Sequence, residues 1–212
     1  MKRTGMLAVA VLLAAGVAAM ALLFQPAQAK AAAGNGKSTG GRGIVYLLRG
    51  GGDIFSTGMD TLAEELRAKG VNARSLSYTS WRDVAREAKE RRGKTRQPII
   101  LLGHSFGANA DVLIADDLAL SNTPVALIIL FDPTDDLKVP ANVRHLINFF
   151  SSSAVGMDLK VEPGLHFSGK LENVGQLDVG HLDIDEDARL HKRAIAEIVK
   201  VVGASTAAVA GQ

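Results

Sequence analysis

The chain has 212 residues, with 24 lysines and arginines against 22 aspartates and glutamates, five histidines and no cysteine. Lys2 and Arg3 belong to a leader-like segment, and without them the formal charge falls from +2 to about zero. No arginine-rich patch with interleaved aromatics appears, which excludes the electrostatic footprint of a nucleic-acid binder. The lack of cysteine excludes disulfides and cysteine-based zinc or redox chemistry, and leaves the fold to be held by its apolar core.

Met6 to Phe24 carry no charge, and Ala27-Gln28-Ala29 supplies the small-x-small pattern of a signal-peptidase site. Residues 1–29 therefore read as a signal peptide cleaved before Lys30. The apolar run is about as long as a minimal membrane span, so an uncleaved inner-membrane anchor is the competing reading. Either way the body of the protein is expected to be exported, periplasmic or secreted, with membrane proximity through the N-terminal segment if that is retained.

Lys30 to Arg42, rich in Ala, Gly, Asn, Ser and Lys and without periodicity, reads as a flexible linker over residues 30–42. Gly36-Lys37-Ser38 within it resembles the end of a phosphate-binding loop. The first glycine of that motif would fall at Ala31 and no strand precedes it, so the motif is rejected. Residues 43–203, about 160 in number, are expected to form one domain with a substantial core. The small, apolar tail 204–212 is expected to be disordered.

The body alternates between two periodicities. Gly43 to Leu48 is a continuous apolar run, as in a strand covered on both faces. After a glycine cluster, Ser56 or Thr57 offers a cap for a helix over Met59 to Ala68, with Leu62 and Leu66 inward and Gly70 placed to end it. Val71 to Tyr78 reads as a second strand, and Trp81 to Arg92 as an amphipathic helix. Pro98 to Leu102 is the third and most apolar strand, followed by a helix from Ser105 to about Leu120. Pro124 to Phe131 is the fourth strand and Val143 to Phe150 the fifth. A looser section then leads to a final helix from about Glu186 to Val202. This alternation predicts an α/β fold: a three-layer α/β/α sandwich around a mostly parallel sheet of about five to six strands. Functional groups gather at the carboxyl ends of such strands.

Three features fall there. Gly103-His104-Ser105-Phe106-Gly107 is a G-x-S-x-G pentapeptide between the third strand and a helix, the context in which the serine is presented as a nucleophile. Serine needs a base, and the base needs a third group to orient it and stabilise its charged form. His181, in Val179-Gly180-His181-Leu182-Asp183 just ahead of the last helix, is the base the chain order favours. His166 is its competitor, while His104 should point away from Ser105, and His145 and His191 lie inside regular elements. Asp132, directly after the fourth strand, is the expected acid. Asp158 competes with it, Asp135 and Asp136 read as solvated, and Asp183 and Asp185 as starting the last helix. Negative charge developing on an attacked carbonyl needs donors already aimed at it. The backbone N–H of Phe106 and the loop Arg49-Gly50-Gly51-Gly52-Asp53, at Gly51, are the candidates.

Taken together these residues resemble the α/β-hydrolase superfamily in its small lipase, cutinase and thioesterase-like members, over about Gly43 to Val202. The resemblance implies hydrolysis of carboxylic esters or thioesters, lipid-like or acyl substrates among them, through an acyl-serine intermediate with no metal or organic cofactor. The chain departs from larger members by leaving no room for a helical cap domain and by lacking two leading antiparallel strands. The same residues would serve an acyltransferase, and a catalytically inactive binding protein of the cell envelope is the reading from a different class. No obligate protein partner is implied.

Overall fold

The computed structural model describes residues 43–51, 56–151 and 160–210. The expected leader, the linker, Gly52, Asp53 and Asp158 lie outside the described residues. Strand β1 (Ile44–Arg49) leads through helix α1 (Thr57–Ala68) to β2 (Asn72–Ser77). Helix α2 (Trp81–Thr95), strand β3 (Ile99–His104), helix α3 (Phe106–Ala119) and strand β4 (Leu127–Phe131) follow. Then come β5 (Lys138–Val139), β6 (His145–Ser151), β7 (Glu162–Pro163), β8 (Lys170–Leu177) and helix α4 (Ala188–Ala210).

Six strands make one sheet in the order β2-β1-β3-β4-β6-β8, every neighbouring pair parallel. Strands β5 and β7 form a separate two-stranded ribbon. Alternation along each strand sorts the core into two layers. Tyr46, Leu48, Leu101, Ile128 and Leu130 face α2 and α3. Val45, Leu47, Ile100, Leu102, Ile129, Phe131 and Phe149 face α1 and α4. Crossover helices between most of these parallel strands cover both faces, which is why β1, β3 and β4 are apolar at nearly every position.

The helix ends follow local chemistry. Gly70, at φ 76°, closes α1: its N–H bonds Arg67 O and that of Val71 bonds Leu66 O, the paired pattern that satisfies a helix's last carbonyls. Asp187 accepts the backbone N–H groups of Arg189 and Leu190 and so caps α4.

Two expectations need correction. The sixth strand, β8, lies within what read as a loose section. And α4 runs on to Ala210, where a disordered tail was expected from residue 204, because Ala204-Ser205-Thr206-Ala207-Ala208-Val209-Ala210 is dominated by the strongest helix-forming residue. No helix among the described residues is long and apolar enough to cross a membrane.

The strand order reverses at β1. The chain goes from β1 outward to β2 on one side, then returns to place β3 on the other. The crevice opened at such a switch point, at the carboxyl ends of β1 and β3, is where ligands bind in open parallel sheets. Gly50 and Ser105 stand at those two ends.

Candidate active site

Ser105 caps the amino end of α3 with φ 56° and ψ −122°, a sparsely populated conformation that costs on the order of 1–3 kcal/mol for a non-glycine residue. The surroundings hold it there. Its N–H bonds Phe131 O at 3.0 Å across the sheet, and its carbonyl accepts from Asn109 N at 3.2 Å. The flanking glycines are needed for close approach: a Cβ on Gly103 would strike the backbone of Gly107, and one on Gly107 would strike the carbonyl of Leu48 in β1.

The loop after β8 brings His181 to this serine. His181 Nε2 lies 3.1 Å from Ser105 Oγ, and its Nδ1 lies 2.8 Å from Asp132 Oδ2. Asp132 follows β4 directly and also has positive φ, 50°. Its N–H bonds Phe149 O at 2.7 Å, which ties the turn to β6. Ser105, His181 and Asp132 thus form one continuous line of hydrogen bonds, in the chain order serine, acid, base. That line, at the switch point of a parallel sheet and on a strained strand-to-helix turn, decides the architecture. The chain has the α/β-hydrolase fold.

Solved structures of low sequence identity share that fold. Human thioesterase 2 superposes with a TM-score of 0.55 at 14% identity, over 76% of this chain and 97% of that one. TT1662 from Thermus thermophilus gives 0.51 at 11% identity, over 76% and 90%. No protein-family model matches the chain, and no curated protein matches it in sequence.

Within this α/β-hydrolase fold, the electrostatics of the acid are set by competing effects. Burial would raise the Asp132 carboxyl, but hydrogen bonds from His181 and Ser151 outweigh it and hold the group below the usual carboxylate range. Ser151, at the end of β6, donates its N–H to Oδ1 at 2.9 Å and its hydroxyl to Oδ2 at 2.7 Å. These two bonds from Ser151 hold the carboxylate in place with Oδ2 free to accept from His181 Nδ1. Asn109 of α3 fixes the loop that follows: its amide donates to Thr134 Oγ1 and Asp135 Oδ2, and its oxygen accepts from Thr134 N. Asp135, expected to be solvated, is therefore tied to α3.

Of the proposed oxyanion donors, Phe106 opens α3, where first-turn amides have no carbonyl within the helix to bond. Gly51 packs against the Phe106 ring so closely that a Cβ there would meet Cδ2 at 2.8 Å. That ring is 49% exposed and lies 5.6 Å from the Tyr78 ring, so an apolar surface borders Ser105.

The remaining candidates sit elsewhere. His166 is exposed, in the turn before β8. His145 pairs with Glu172 across β6 and β8, and His191 with Glu65 and the carbonyl of Asp185. Asp185 does not start α4. It is buried against the first turn of α1, and burial pushes its carboxyl up to about 7, the charge of Glu186 adding to the rise and the amides of its own backbone, Gly58 and Met59 offsetting part of it. Among the described residues no group of three or more His, Asp or Glu side chains is arranged to hold a metal ion.

Sequence reasoning passed over Ser151, Asn109 and Ser56 as parts of the site. Ser151 carried a weak signal, since a polar residue closing an apolar strand is where a sheet meets its loops. Nothing in the sequence marked Asn109, and Ser56 read as a helix cap.

Proposed function

We propose that the protein is an exported serine hydrolase that cleaves carboxylic esters or thioesters through an acyl-serine intermediate. The observation that carries this reading is the unbroken Ser105–His181–Asp132 line, with hydrogen bonds of 3.1 and 2.8 Å.

In the proposed reaction His181 Nε2 takes the Ser105 proton as Oγ attacks the acyl carbon. The carbonyl electron pair moves onto its oxygen, facing the amides of Phe106 and Gly51 at the positive end of α3. Asp132 stabilises the imidazolium through Nδ1. Collapse breaks the bond to the alkoxide or thiolate, which leaves with the proton from Nε2. Water then gives a proton to the same nitrogen, attacks the acyl-serine and releases the acid, and Ser105 recovers its proton. The exposed Phe106 ring, with the half-buried Tyr78 ring beside it, favours apolar acyl groups over charged ones. Export rests on the positive, apolar and small-residue pattern of residues 1–29.

The test is intact mass after exposure to a fluorophosphonate, alongside Ser105→Ala. One adduct on the wild type and none on the variant is the expected result. A folded wild-type protein that forms no adduct would overturn the hydrolase reading in favour of a binding role for the same fold.

A further inference from the structure

Beneath the site runs a second line of polar groups that the reaction does not use. Gly50 N–H lies 2.9 Å from Ser56 Oγ. Ser56 Oγ lies 2.8 Å from His104 Nδ1, and His104 Nε2 lies 2.8 Å from the backbone carbonyl of His181. Ser56 and His104 are each 1% exposed.

The direction of every bond follows from its ends. A carbonyl only accepts, so His104 Nε2 carries a hydrogen. Burial lowers the His104 pKa to about 4, so the ring is neutral near pH 7 and its Nδ1 bears a lone pair. The Ser56 hydroxyl must then donate to Nδ1, which leaves its oxygen to accept from Gly50. Asp185 Oδ1 stands 3.6 Å from Nδ1, too far for a direct hydrogen bond that would compete.

We propose that Ser56 and His104 are positioning residues: a buried hydrogen-bond chain from Gly50 to the carbonyl of His181 fixes the oxyanion loop and the base relative to the nucleophile. The proposal rests on the hydrolase reading for its consequence in rate. Its geometry stands apart from that reading.

The chain touches the machinery at three points. Gly50 immediately precedes Gly51, and a Cβ on Gly50 would lie 2.9 Å from Ser56 Oγ and 3.0 Å from Ser105 Cβ, so the loop is drawn onto the elbow. His104 is the residue before Ser105, so its ring is anchored by the elbow itself. His181 is gripped twice, by Asp132 at its ring and by His104 at its backbone. One grip would let the imidazole pivot about the Asp132 bond, and a displacement of about 1 Å at a reacting group costs on the order of a hundredfold in rate. A histidine that merely satisfied a core would need partners, but not one partner on each of two catalytic loops.

Two conservative variants separate the halves of the chain. In His104→Gln the amide nitrogen reaches the place of Nε2 and keeps the bond to His181. In His104→Asn the side chain reaches only the place of Nδ1 and keeps the bond to Ser56. On a chromogenic acyl ester, His104→Asn and Ser56→Ala should lose about ten- to a hundredfold in kcat with KM within about twofold. His104→Gln, which keeps the hold on the base and loses the link to Ser56, should lose no more than Ser56→Ala does. Wild-type kcat in a folded His104→Asn, or in a folded Ser56→Ala, would overturn the proposal.

A readout free of turnover is the ring tautomer of His104, from nitrogen–proton correlation NMR on the wild type near pH 7. The Nε2–H form with a slowly exchanging ring proton supports the chain, and the Nδ1–H form overturns it. If the wild type takes no fluorophosphonate, the hydrolase reading falls and the tautomer alone decides this proposal.

Discussion

The acid of the site is held by three donors, the His181 ring and the amide and hydroxyl of Ser151. That explains how a buried carboxyl stays charged, and it predicts what its loss does. Asp132→Asn leaves the shape but removes the charge that steadies the imidazolium, and steady-state assay should show kcat down by about ten-thousand-fold. Because the folded-state pKa of Asp132 is depressed, its stabilisation is present above the ordinary carboxylate range and is lost as pH falls through its folded value. Thermal melts should accordingly show the gap between wild type and Asp132→Asn closing as the pH drops below about 4. Phe106 divides its labour between backbone and ring. Phe106→Ala keeps the amide and removes the apolar border, so KM for long-chain acyl esters should rise several-fold while kcat for a short acetyl ester holds. An unchanged KM would detach the ring from substrate binding. These residues differ in how well the sequence announced them. Ser105, Asp132 and His181 stand next to strand and helix boundaries, which pattern reveals. The partners Ser151, Ser56 and His104 act through three-dimensional neighbours that lie far away in the chain, 19 residues apart for Ser151 and Asp132 and 48 for Ser56 and His104.

At the scale of elements, β8 shows where periodicity stops being informative. Lys170-Leu171-Glu172-Asn173-Val174-Gly175-Gln176-Leu177 pairs on one side only, with β6, and an edge strand needs apolar residues on just one face. Its polar positions are used instead: Glu172 bonds His145 of β6 and Arg193 of α4, and Asn173 bonds both Asn148 and the backbone of Val161. No hydrophobic template finds such a strand. Strands β1, β3 and β4, covered on both faces, were legible to within two or three residues. Helix α3 carries the opposite anomaly, a charge-bearing residue where only apolar ones belong. Asp111 is fully buried, neither carboxyl oxygen has a hydrogen-bond partner among the described residues, and burial raises its pKa well above the ordinary value. A carboxyl raised in the folded state costs stability progressively as pH rises from the ordinary carboxylate range toward its folded pKa. Asp111→Leu, apolar and branched at the same carbon, should therefore melt higher than wild type near pH 7, with the advantage shrinking toward about pH 4. A wild type that melts higher at pH 7 would mean that the carboxyl has a partner in solution.

For the molecule as a whole, fold class came readily from the alternation of short apolar runs with amphipathic stretches, and with it the end of the sheet where the site had to be. What the alternation could not supply was the lateral order of the strands. That order decides who meets whom: β3 brings the serine, its neighbour β4 the acid, and β8, two places further along, the histidine. Between β4 and β8 stands β6, whose last residue, Ser151, is the one that braces the acid. The histidine is thus contributed by the chain's last strand, at the sheet's margin and paired on one side alone. Margins are where folded proteins open first. In the reaction we propose, a chain whose final strand has not yet docked has Ser105 without its base, so the centre is armed by the completion of folding itself. For the exported hydrolase we propose, translocated unfolded, this topology would work as a built-in safety catch, released at the destination.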